Sequence, residues 1–118
     1  MNQPSLPRIS RPAPADARQA ENRRRLREFL RAIPRSEPEG RLELLGPENG
    51  QPARLVTRAE LTEAIEQMRP RMRQVISLTL EEHYDRERVM AYLGIGLRTL
   101  EREQADGLDL LAELGTNR

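Results

Sequence analysis

Of the side chains able to do chemistry, the sequence supplies one type in quantity: its 20 basic residues are all arginine. Cysteine is absent, which removes disulfides, thiolate zinc sites and cysteine nucleophiles. His83 is the single histidine, so one chain assembles neither a histidine metal cluster nor a paired-histidine catalytic site. No nucleophile–base pair or phosphate loop is visible either. The expectation is a protein that is not an enzyme and that carries no cofactor and no metal. What remains is guanidinium chemistry, a planar fork of donors suited to carboxylates, phosphates and the edge of guanine.

Two arginine groups stand out. Arg23, Arg24, Arg25 and Arg27 lie in residues 1–40, which hold 9 arginines against 5 acids. They read either as an arm gripping phosphate or as a surface helix offset by Glu21 and Glu28. Arg98 and Arg102 lie one helical turn apart in residues 85–118, where 5 arginines face 7 acids. They read either as contacts to a ligand or as a solvated face with local pairing to Glu101 or Asp106.

The elements that position these groups follow from the punctuation of the chain. Residues 1–15 contain Pro4, Pro7, Pro12 and Pro14 among polar residues and are expected to form a disordered tail. An Arg-rich helix is expected over 16–34, capped by Asp16, with Leu26, Phe29, Leu30 and Ile33 at helical spacing and Pro34 as its stop. Residues 35–56 are either a linker or a short β-hairpin, because the apolar runs Leu42 to Leu45 and Leu55 to Val56 flank a Gly/Pro/Asn-rich connection.

Residues 57–118 read as a four-helix domain. Thr57 and Glu60 form a capping box ahead of the stripe Leu61, Ala64, Ile65 and Met68. Pro70 opens a second helix with Met72, Val75, Ile76 and Leu80 inward, ending near His83, whose ring is expected to meet the final carbonyls or solvent. Asp85 caps a third helix carrying Val89 and Leu93, and Gly94 breaks it. A fourth runs from Leu97, with Leu100, Leu108, Leu111 and Leu114 on one face; Gly107 in its interior is expected to cost about 1 kcal/mol relative to Ala. That leucine stripe is core, or in part a homodimer surface. The fold class is therefore all-α, with the hairpin around 41–56 left open.

Apolar stretches are short, and MNQPSLPRIS lacks the apolar core of a secretory signal, so a cytoplasmic protein with no membrane partner is expected.

The two helices joined by LGIG have helix-turn-helix form. Val89 and Leu93 precede Gly94 by five and one residues, while Ile95 and Leu100 follow it by one and six. From Leu61 to Leu111 the run LTEAIEQMRPRMRQVISLTLEEHYDRERVMAYLGIGLRTLEREQADGLDLL resembles region four of bacterial sigma factors and sigma-like phage regulators. The likeness rests on the Pro70–Arg71 helix start, Val75, Ile76, Leu78, Leu80, Glu81–Glu82, the Asp85 cap and Val89 through Leu100.

That resemblance implies double-stranded promoter DNA as a partner, with RNA polymerase or a sigma factor beside it. It implies Leu97, Arg98, Glu101 and Arg102 as base-facing positions, Arg71, Arg86 and Arg88 as phosphate contacts, and Gly94 and Gly96 as the motif turn. Arg98 and Arg102 suit guanine, and Glu101 can accept from cytosine. Met90, Gly96 and His83 depart from the family pattern, where a small residue, a Ser or Thr cap and a Gly are usual, and the helices are expected to cross less tightly. Glu101, Glu103, Asp106 and Asp109 predict an acidic recognition helix that repels phosphate, so that polymerase, dimerisation or the arginine arm must compensate. The expected function is a DNA-binding transcription regulator. The alternative is a protein-interaction module that binds RNA polymerase or a sigma factor without independent DNA binding.

Overall fold

The computed structural model describes residues 14–46 and 54–115. Most of these are helical: α1 (Pro14–Ala32), α2 (Arg58–Glu66), α3 (Pro70–Ile76), α4 (Arg86–Leu93) and α5 (Leu97–Ala112). A two-stranded antiparallel sheet, β1 (Arg41–Leu44) and β2 (Arg54–Thr57), joins α1 to α2. The hairpin thus forms, and an all-helical description is corrected to helical with a small sheet. Its register pairs Arg41 with Thr57 and Leu44 with Arg54. The connection at 47–53 and the expected tail at 1–13 lie outside the described residues.

Helix α1 begins at Pro14 rather than at an Asp16 cap. Proline suits a first turn, where its missing donor would have no intrahelical partner. The helix is not a separate arm. Leu26 and Leu30 are buried against Leu44, Val56, Leu61, Ile65, Met72, Ile76, Leu80, Leu108 and Leu111, so that α1, the hairpin and the later helices share one core. Asn22 fixes the hairpin to α1 by mimicking a peptide group: its Oδ1 accepts from the Leu45 amide at 2.9 Å and its Nδ2 donates to the Leu45 carbonyl at 3.2 Å.

Local capping follows the sequence closely. Thr57 Oγ1 accepts from the Glu60 amide at 3.1 Å, and Glu60 Oε1 accepts from the Thr57 amide at 2.9 Å, completing the capping box. Asp85 Oδ1 accepts from the Arg88 amide at 2.9 Å to start α4.

Helix α3 does not run as an α-helix to His83. After Ile76 it widens into a π-helical turn over Ser77–Glu81, and His83 adopts φ 65°. Thr79 Oγ1 donates to the Val75 carbonyl at 2.6 Å within this segment. In the wider register Leu80 is fully buried and Glu81 meets Arg35 and Arg58. The His83 ring reaches another helix, with Nε2 3.1 Å from the Arg31 carbonyl oxygen.

Gly107 is a close-approach point between α5 and α3. A Cβ there would lie 2.8 Å from Ile76 Cγ1 and 3.2 Å from Met72 Cγ. The helix-propensity cost is thus offset by packing that a larger residue would obstruct. Leu108 and Leu111 are fully buried in the same core, with Leu114 partly buried against it.

Candidate nucleic-acid interface

Helices α4 and α5 are held together by a second, smaller cluster of Val75, Val89 and Leu100, flanked by Leu78, Met90, Leu93 and Ile95. Gly94 connects them in the left-handed conformation, φ 68° and ψ 38°, with its amide donating to the Met90 carbonyl at 2.8 Å. The conformation favours glycine because a Cβ would be strained there. Ile95 donates to the same carbonyl at 3.1 Å, closing the turn. Gly96 starts α5 from extended backbone with no side-chain cap. Met90 packs against the small cluster rather than standing free.

Because Leu100 points into this cluster, Arg98 and Arg102, two positions to either side of it, and Glu101, one position on, are rotated off the inward face. Leu97, Arg98, Glu101 and Arg102 are all exposed. Among the described residues Arg98 and Arg102 form no ion pair. The local pairing with Glu101 or Asp106 does not form, because Glu101 turns to α4, where Arg86 Nη1 donates to its Oε2 at 2.9 Å.

Three of the four acids of α5 are met by arginines. Glu103 is buried and accepts from Arg69 at 3.0 Å. Asp109 receives a two-pronged contact from Arg23, with both bonds at 2.7 Å. Asp106 remains exposed. The helix carries the expected acids, but Glu101, Glu103 and Asp109 each face a guanidinium.

The other arginines singled out by sequence divide into held and free. Arg88 is exposed and stacks over the Tyr84 ring at 4.6 Å, a cation–π contact. Arg71, in the first turn of α3, is exposed and unpaired among the described residues. Arg23 is tied to Asp109, whose hydrogen bonds raise the guanidinium pKa further. Arg24 bridges Glu21 and Glu28, and Arg25 joins Glu21 and the Glu43 carbonyl. Hydrogen bonds from Arg24 and Arg25 lower the Glu21 carboxyl to about 2. Arg27 is half-buried and forms no ion pair among the described residues. Of the four, three are already occupied by intramolecular acceptors.

A charged network with no signal in the sequence forms around Arg58, Arg35 and Glu81. Arg58 is fully buried; its Nε donates to the Ile33 carbonyl at 2.7 Å, its Nη1 to Thr62 Oγ1 at 2.8 Å, and its Nη2 to Glu81. Arg35 grips both Glu81 oxygens at 3.0 Å and Glu66 at 2.6 Å. Burial pushes the Glu81 carboxyl up, but the two guanidiniums outweigh it and hold the group below its ordinary value. The network ties α1 to α2 and to the π turn, and its charges are spent on one another. An arginine at the start of an amphipathic helix carries no sequence signal for such burial.

No group of three or more His, Asp or Glu side chains able to hold a metal ion occurs among the described residues. No described helix is long and apolar enough to cross a membrane. Comparison with protein-family models, with curated proteins and with solved structures yields no match to this chain.

Proposed function

We propose that the protein is a DNA-binding transcription regulator, resembling region four of sigma factors, that lays the outer face of α5 in the major groove of promoter-type DNA. One observation carries the reading. Arg98 and Arg102 stand unpaired and exposed beside Leu97 on a helix braced by α4 through the left-handed Gly94 turn and the Val75–Val89–Leu100 cluster. A short bracing helix, a glycine turn and a second helix with free guanidiniums on its exposed face are the parts a major-groove reader needs. Arg71 and Arg88 supply positive charge for the phosphates. The pairing of Glu101, Glu103 and Asp109 with arginines removes much of the repulsion that an acidic helix would feel near DNA.

A second reading is favoured by a different surface. Tyr92 is 74% exposed on α4, and the Tyr84–Arg88 stack is one helical turn away. Tyr and Arg are enriched at protein interfaces, which suits a module that binds RNA polymerase or a sigma factor without reading DNA itself.

Binding of the full chain to a promoter fragment and to a scrambled duplex, across a salt series with and without RNA polymerase, separates the two. Specific binding alone supports the DNA reader. Binding that requires polymerase moves the protein to an adaptor role, and no binding to DNA in either case overturns the proposal.

A further inference from the structure

Resting on the reading of α5 as the DNA-facing helix, we infer that Arg86 is a positioning residue for base discrimination rather than a phosphate contact. It holds the Glu101 carboxylate so that the free Oε1 accepts the amino hydrogen of a cytosine. The bond from Arg86 Nη1 to Glu101 Oε2, 2.9 Å long, ties the first turn of α4 to the second turn of α5 across the glycine turn. Glu101 Oε1 accepts no hydrogen bond from any described residue, and Glu101 is exposed on the outer part of α5 that also carries Arg98 and Arg102.

An uncompensated carboxylate on that face would meet the phosphates of both strands and be repelled. Paired with Arg86, it enters the groove as part of a neutral couple. The guanidinium also limits the rotamers open to an exposed glutamate, so less freedom is lost when the second oxygen engages a base. In the major groove cytosine presents the N4 amino donor and no acceptor of its own. Adenine sets its N7 acceptor beside its N6 donor, which disfavours a carboxylate. The pair therefore selects cytosine at one position, flanked by the guanines that Arg98 and Arg102 suit.

The test is selection from a library of randomised duplex DNA by the full-length wild type, Glu101→Gln, Arg86→Ala and Arg86→Lys, with helix content checked by circular dichroism. The wild type is expected to prefer cytosine at one position by about 5- to 150-fold. Glu101→Gln and Arg86→Ala should both lose that preference at the same position and keep the rest of the selected sequence, while Arg86→Lys restores part of it. A phosphate contact would behave differently: Arg86→Ala would weaken binding uniformly, reduce the salt slope by about 1 and leave every base preference intact. That result overturns the inference and leaves the DNA-reading proposal standing. A wild type that selects no sequence overturns the proposal and the inference together.

Discussion

Replacing Arg58 by methionine removes the one fully buried guanidinium among the described residues. The substitution keeps most of the apolar stem but deletes the donors to the Ile33 carbonyl, to Thr62 Oγ1 and to Glu81. Breaking a buried ion pair from one side costs about 3–5 kcal/mol, because the remaining charge is left desolvated. Here Arg35 still grips both oxygens of Glu81, so the lower end applies, about 3 kcal/mol. Against a domain stability of about 5–15 kcal/mol this is a large fraction. With a urea slope of about 1–3 kcal/mol per molar, the unfolding midpoint should fall by about 1–3 M. The double variant Arg58→Met with Glu81→Leu replaces the pair by apolar groups and should recover much of the loss. Urea titration followed by circular dichroism reads all three proteins. A single variant as stable as the wild type, or a double variant no better than the single, would refute the assignment of this network as the buried tie of α1 to α2 and the π turn.

Gly107→Ala should destabilise the protein by about 1 kcal/mol, since the overpacking against Ile76 and Met72 exceeds the helix-propensity gain. Chemical denaturation checks the sign, and a stabilised variant would mean that α3 and α5 part freely. Asp85→Ala should cost about 1 kcal/mol by uncapping α4, read as a thermal midpoint lowered by about 4–8 °C. Acid should destabilise the fold: Glu21, Glu60 and Glu81 all have carboxyl groups held below their ordinary value. Their contribution is present above about 4.5 and drains away as pH falls below that value, for Glu21 toward about 2. Stability measured by urea at stepped pH should therefore decline across this window, and a flat profile would contradict the ion-pair assignments.

The parts of this fold that sequence reveals are those written in neighbouring residues. Thr57 with Glu60, Asp85 ahead of α4, and Gly94 after it each act over a few positions, and each forms as its residue type requires. The register of Val89, Leu93, Ile95 and Leu100 around the turn is likewise local, and all four gather in one cluster. The hairpin is not decided by sequence because Leu44 and Val56 are buried in a core shared with α1 and the later helices, contacts that no short window contains. For the same reason the arginines of α1 looked like an arm: their acceptors include Asp109, which is 86 residues away. Glu103 looked like one more charge on an acidic helix, yet its partner Arg69 lies on the far side of α3 and α4 in sequence. The π turn after α3 holds Glu81 against Arg35 and Arg58, 46 and 23 residues away, contacts that no short window contains.

The most direct test of the central claim compares wild type, Arg98→Ala and Arg102→Ala for binding to a selected duplex and to each of its single-base variants at fixed salt. If the outer face of α5 reads bases, each substitution relaxes discrimination at particular positions by about 1–3 kcal/mol and leaves the other positions unchanged. Equal loss on every duplex, or no loss on any, would mean that these arginines do not read sequence and that α5 does not lie in the groove.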